Sequence, residues 1–361
     1  MHQSIAAICC SYSGGTNGQL RCLGRAAGDL STIAGLETPA PLFVAIGPDR
    51  EHCYAVHHDA GGEIRSFAID ATVSDGAGPA LVETSEYPTG GAEPCYVSVD
   101  PAGEFAFTAN YAGGSLAVFP IRADGSLGER AQLIEHDGSG PNQDRQASAH
   151  PHSIVPGPAG RFVYAADLGT DELWCYELDR DAERLDPAEP ATVAIHDGAG
   201  PRHLAFHSDG DRAFLANELD STLTVLTVDT TSGELEPVQT VGTLPADRNA
   251  EAATESYPAD VHVHPSGEWV YVSNRGHDSI AIFAVDGDDA GAEPVKLVGH
   301  EPTGGHWPRD FALDSAGEYL FAANRRSDEI VSFRIDETDG TLEATGDVLG
   351  VQEPICLAFL E

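Results

Sequence analysis

Seven spaced copies of one short phrase predict an all-β fold, a seven-bladed β-propeller with four antiparallel strands per blade. Each copy opens on a proline with an apolar residue three positions later. The copies are PLFVAIGPD at Pro41, PCYVSVDPAG at Pro94, PHSIVPGPAG at Pro151, PRHLAFHSDG at Pro201, PADVHVHPSG at Pro258, PRDFALDSAG at Pro308 and PICLAFLE at Pro354. Their spacing of 46 to 57 residues is long for a solenoid repeat and suits four strands with their turns. The two ends of the chain complement each other: the last copy stops after one strand, while AAICCSYSGG, GQLRCLGRA and STIAGLET at the start read as strands two to four. The last blade is then closed by N- and C-terminal strands, which removes the edges an open array would expose. Residues 1–361 read as one domain without a linker.

Within each unit the elements follow in a fixed order. The proline phrase alternates apolar and polar residues, as a strand with one buried face does, and its D-P-x-G-like end supplies a tight turn. A second apolar run then closes on a polar pair: CYAVHH, FAFTANY, FVYAADL, AFLANEL, WVYVSNR and YLFAANR. A third run such as SIAIFAVD or EIVSFRID follows, and then a weaker fourth. Helix-period stretches are almost absent, which excludes dinucleotide folds. Two stretches interrupt the pattern, QDRQASAH (143–150) and LPADRNAEAATESYP (244–258). Both are expected to be loops crossing the rim, the first beside His152 and the second in the blade of Arg275.

Composition narrows the setting. The chain has 58 acidic and 19 basic residues, a net charge of −39, and Lys296 as its one lysine. Such a surface repels nucleic acid and anionic membranes and is tolerable where salt screens it, so a halophilic, acidic protein of the cytoplasm is expected. Seven cysteines without metal-type spacing read as small buried hydrophobes in a reducing compartment. No apolar run approaches the ~18 residues of a membrane span. Neither a partner nor a cofactor is implied, and a closed ring can stand as a monomer.

The first strand of a blade lies nearest the axis, and the second returns antiparallel to it. The residue after each proline therefore meets the end of strand two at one mouth of the ring. The first set reads Leu42, Cys95, His152, Arg202, Ala259, Arg309 and Ile355; the second reads His58, Tyr111, Leu168, Glu218, Arg275 and Arg325, with Tyr12 as the seventh. The framework repeats while these letters vary, which is how function is grafted onto a repeat fold. Arginines gathered there suit a carboxylate, a phosphate or a developing oxyanion. The pairs His150/His152 and His262/His264 have strand spacing that can bind zinc, but no third ligand is placed to complete a site, so packing is expected and no metal is assigned.

The phrases GSGPNQDRQASAHPHSI (138–154), GAGPRHLAFHSDGDRAFLANELDSTLTVL (198–226), VHVHPSGEWVYVSNRGHDSIAIFAVD (261–286) and PRDFALDSAGEYLFAANRRSDEIVSFRID (308–336) resemble lactonases of the 6-phosphogluconolactonase type. These are seven-bladed propellers related to the carboxymuconate cyclases. The resemblance implies hydrolysis of a small anionic sugar-acid lactone, with His152, Glu218, Arg202 and Arg275 as catalytic residues. Arg309, Arg325, Tyr111 and His203 form the expected substrate-binding set. His152 is the expected base, Glu218 an ionised group orienting water or His152, and Arg202 and Arg275 the holders of the carbonyl oxygen. An intramolecular lyase interconverting a muconate and its lactone, or a non-enzymatic binding propeller, would use the same fold.

Overall fold

The computed structural model describes residues 4–12, 17–58, 61–70, 80–246, 255–286 and 294–360. Residues 247–254, the middle of the expected loop in the blade of Arg275, lie outside the described residues. Seven separate sheets of four antiparallel strands are present, and no described residue is helical. The first strands of blades I to VII are Pro41–Ile46, Pro94–Val99, Pro151–Pro156, Pro201–Phe206, Tyr257–Val263, Pro308–Leu313 and Pro354–Phe359. Each packs on the next, and that of blade VII on that of blade I, so the ring is closed. Blade VII joins Pro354–Phe359 to Ile5–Tyr12, Asn17–Ala26 and Asp29–Pro39, as the complementary ends of the chain required.

The proline that opens each unit has a structural consequence. It has no N–H for the ladder, and the pairing slips by one residue immediately after it. Pro201 faces Asn217 while His203 faces Ala216, and the same slip recurs between Pro41 and Phe43, Pro94 and Tyr96, Pro151 and Ser153, and Pro308 and Asp310. In blade VII it falls between Ser11, opposite Pro354, and Cys10, opposite Cys356. The residue after the proline is thus a β-bulge, left out of the ladder and re-aimed. In these blades that residue is Leu42, Cys95, His152, Arg202, Arg309 or Ile355. In blade V the slip is wider, between Pro258 and Val261.

Turns behave as the D-P-x-G phrases imply. Asp100 accepts hydrogen bonds from the N–H groups of Ala102, Glu104 and Phe105 at 3.2, 2.6 and 2.8 Å, and Gly103 takes φ +73°. His264, read as a packing residue, hydrogen-bonds through Nε2 to the Gly317 carbonyl at 2.9 Å, and His207 does the same to Gly267 one blade earlier. All seven cysteines are buried free thiols.

Stability resides between blades. Seven clusters of buried side chains each fill one blade-to-blade interface. At the closure, Ala7, Cys9, Leu23 and Leu30 of blade VII pack against Ala312, Phe321 and Ile330 of blade VI. Phe321 is fully buried there. Phe321→Ala is expected to cost about 3–5 kcal/mol, from lost transfer energy plus a cavity. Urea denaturation should show a lower midpoint at unchanged slope, and a loss below about 1 kcal/mol would mean that the closure is not tightly packed.

Candidate active site

The bulged residues and the ends of the second strands converge on one funnel of about 430 Å³. First strands contribute Leu42, Cys95, His152, Arg309 and Ile355; chain positions at the close of second strands contribute Tyr12, His58, Tyr111, Glu218, Arg275 and Arg325. Glu93 and Arg145 complete the wall. The paired His57 is buried instead, with Nε2 3.0 Å from Thr38 Oγ1. Leu168 and Ala259, of the expected rim set, are fully buried and are not part of the funnel wall.

Glu218 is the hub. Its Oε2 accepts from Arg202 Nε at 3.1 Å and Arg275 Nη2 at 2.7 Å, and its Oε1 accepts from Arg145 Nη2 at 2.5 Å. Burial alone would raise its pKa, but the charges of Arg275, Arg202 and Arg145 outweigh it and hold the carboxyl well below the ordinary range. Arg275 is fixed further by the Tyr257 and Pro258 carbonyls, at 3.1 and 3.0 Å. Arg202 is sealed behind Glu218 with 2% of its surface exposed, and donates Nη1 to the Ala259 carbonyl and to His203 Nε2. It does not face the funnel, so it positions Glu218 where the sequence had suggested a grip on the carbonyl oxygen.

His203 requires a correction, since it does not line the funnel. It directly follows the bulge, and strand geometry turns successive side chains to different sides. Its Nδ1 donates to Asp260 Oδ1 at 2.7 Å, in a second cavity farther along the channel. The funnel wall includes Arg275 and Glu218 and not His203.

His152 sits on the funnel floor. Tyr111 lies edge-on to it with ring centroids 5.3 Å apart, and Cys95 Sγ is 3.8 Å from its Nδ1. Burial, then the charge of Arg202, holds its pKa well below 6.5, so the imidazole is neutral and able to accept a proton. Beside it, Arg309 has no hydrogen-bond or ion-pair partner among the described residues. Removal from water, and the like charges of Arg202, Arg275 and Arg325, push it below the ordinary guanidinium range. Arg325 is paired with Glu353 at 3.0 Å, each side chain about one-third exposed.

Arg145 was not singled out from the sequence, although its loop was. That loop is braced: buried His136 bonds Asp167 and Tyr176, both at 2.8 Å, and buried Gln146 donates to the Leu168 carbonyl at 2.9 Å and to Asp171 at 2.7 Å. Between these anchors Arg145 reaches Glu218, with Tyr111 Oη 3.4 Å away. The signal available was an arginine inside a polar interruption next to His152. The metal reading also changes in one respect. Asp260 and Asp310 stand beside His262, with ligand atoms within 4.8 Å of one another.

A family model described as "Lactonase, 7-bladed beta-propeller" matches residues 7–359. The chain is 35% identical over 266 residues to a 6-phosphogluconolactonase of Bacillus subtilis, covering 73% of this chain and 72% of that one. It is 34% identical to a 6-phosphogluconolactonase of Pectobacterium carotovorum, covering 77% and 76%. The solved structure of a periplasmic gluconolactonase from Pseudomonas aeruginosa superposes with a TM-score of 0.88 at 29% identity, covering 99% of both chains.

The ion cluster makes a prediction about stability. Glu218→Gln leaves Arg202 and Arg275 buried without their acid, and is expected to cost about 3–5 kcal/mol at neutral pH. A depressed carboxyl stabilises above its unfolded pKa, near ~4.3, and loses that contribution as pH falls through its folded value. Denaturation curves should therefore show a constant gap between wild type and variant from pH ~7 to ~5, closing only in stronger acid. A gap that closes near pH ~6 would contradict the assigned charge state.

Proposed function

The chain belongs to the seven-bladed β-propeller lactonase family, and on that premise we propose that its funnel hydrolyses a phosphorylated sugar-acid lactone, 6-phospho-D-glucono-1,5-lactone fitting best. The observation that carries this reading is a guanidinium without a partner among the described residues, Arg309, beside a neutral imidazole, His152, in an arginine-walled funnel. The names of the Bacillus and Pectobacterium relatives support the phosphorylated substrate, and that of the Pseudomonas structure a gluconolactone. The acidic composition and the buried free thiols support a salt-rich, reducing compartment such as cytoplasm.

The roles follow from exposure and pairing. His152 takes a proton from water as its oxygen adds to the lactone carbonyl. Arg309 and Arg275 face the oxyanion that forms, a charge developed where unsatisfied positive charge already waits. The bond from carbonyl carbon to ring oxygen then breaks, and the imidazolium of His152 returns the proton to that oxygen. Glu218, ionised, orients water and stabilises the transient imidazolium, with Arg202 holding it from behind. Arg145 and Arg325, each about one-third exposed at the side chain, receive the phosphate near the rim. Arg145 then exchanges Glu218 for the phosphate, which frees Oε1 toward the water.

Four outcomes test this. With the uncatalysed opening subtracted, kcat/KM should stay flat as pH falls from ~8 through ~6.5, because the imidazole of His152 remains unprotonated there. His152→Gln and Arg309→Gln should each lower kcat by about 100-fold or more, and an inflection near pH ~6.5 or intact rates would remove the assignment. Arg145→Gln and Arg325→Gln should raise KM for 6-phosphogluconolactone by about 10-fold, with little change for gluconolactone. Turnover of a muconolactone instead would place the funnel among the intramolecular lyases, and release of no protons from any lactone would leave a binding propeller.

A further inference from the structure

Beyond the funnel, the first strands line a second cavity of about 450 Å³ farther along the channel. Asp260 and His262 stand two residues apart on the first strand of blade V, and Asp310 comes from that of blade VI. One ligand atom from each lies within 4.8 Å of the others.

The hydrogen bonds around the three are directional. Arg202 Nη1 donates to His203 Nε2 at 3.0 Å, so His203 carries its proton on Nδ1 and donates to Asp260 Oδ1 at 2.7 Å. The Val261 N–H donates to that same oxygen at 2.9 Å. The other oxygen, Oδ2, lies 2.9 Å from His262 Nε2. The imidazole of His262 also hydrogen-bonds the backbone of Phe311. Asp310, 3% exposed, takes the Leu357 N–H on Oδ2 at 2.6 Å, and its side chain otherwise meets the Asp260 carboxylate. Among the described residues no lysine, arginine or hydroxyl donates to the pair. Two buried carboxylates thus face one another, with an imidazole nitrogen beside them and their outward valences already satisfied.

Two carboxylates and an imidazole nitrogen that converge on one point, joined by hydrogen bonds, can exchange the protons between them for a cation. Ligands about 2.1 Å from a metal and at near-tetrahedral or right angles sit roughly 3 Å apart, the separation of His262 Nε2 from Asp260 Oδ2. The contacts from His203, Val261, Leu357 and Phe311 are the outer hydrogen bonds that orient ligating groups. We propose that Asp260, His262 and Asp310 form a binding site for a first-row divalent cation of the Zn²⁺ type, tying blades V and VI together in the second cavity. Imidazole with carboxylates suits such an ion better than Mg²⁺, which keeps its water and prefers all-oxygen shells. The cavity beside the three leaves room for a water as fourth ligand.

The test uses the full chain, stripped with a chelator and dialysed against ZnCl₂ in about 1 M KCl, which screens the acidic surface. Bound zinc is counted by elemental analysis, and thermal unfolding is followed with and without zinc. About one equivalent should bind and raise the unfolding temperature. His262→Gln and Asp310→Asn, chosen for similar volume, should weaken binding by at least about 100-fold and abolish the shift, as loss of a ligand must. His306→Ala removes an exposed histidine paired with Asp278 and should leave both readouts unchanged. Circular dichroism of each zinc-free variant establishes that it is folded. Absence of a stoichiometric site in the wild type, or zinc binding that both substitutions leave intact, would overturn the proposal and leave only an adventitious ion.

Discussion

The arrangement depends on a proline that cannot donate a hydrogen bond. At the start of nearly every inner strand it forces the next residue out of register, and the bulge aims that residue into the mouth of the channel. A regular strand would have paired these positions into the ladder and turned them between blades, where only apolar residues are tolerated. Because the ring repeats, the same dislocation recurs and delivers a circle of independently variable side chains. His152 and Arg309 are two such positions, while Arg202 stays sealed behind Glu218. Stability is meanwhile held by seven interblade clusters that His152, Arg202 and Arg309 do not enter. The chain can therefore place buried charge at the mouth without weakening the joints.

Electrostatics then sets what the mouth can do. In a chain of net charge −39, five arginines gather around one buried carboxylate. Glu218 neutralises part of that charge and becomes strongly ionised in return, while burial among cations keeps His152 neutral. One environment thus pushes an acid and a base in the same direction, toward their deprotonated forms. That combination suits the proposed abstraction of a proton from water beside cationic groups. Arg309, left without a counter-ion by the described residues, is where the surplus positive charge is felt.

Blade number, ring closure and the membership of the funnel were legible because a repeat fold turns sequence period into spatial position. Counting from the proline was enough to bring Arg309 and Arg325 beside Arg275 and Glu218. His203 was misplaced because successive strand side chains turn to different sides: the motif PRH keeps two neighbours together in text, yet Arg202 turns to Glu218 and His203 to Asp260. Arg145 escaped because a loop carries no register, and only its anchors, Gln146 and His136, fix where it reaches. The partners of His262 were hidden for a third reason. Local H-x-H spacing looked toward His264, which caps the next blade through Gly317, whereas Asp310 belongs to another blade and meets His262 only when the ring is assembled.

The two cavities are not independent, because the misplaced histidine joins them. Asp260 holds His203, His203 accepts from Arg202, and Arg202 holds Glu218, through distances of 2.7, 3.0 and 3.1 Å. Each donor in this chain is fixed by the next acceptor, so the tautomer of His203 and the aim of the Arg202 guanidinium are decided together. A carboxylate at the far end thereby determines how the one at the funnel is gripped. Glu218 apart, Arg202 could have been held by backbone groups only, as Arg275 is by the Tyr257 and Pro258 carbonyls. Routing it instead through His203 couples the order of the channel interior to the geometry of the funnel. That coupling gives a physical reason for buried polar residues on the axis, where apolar packing would have been the simpler way to fill the ring.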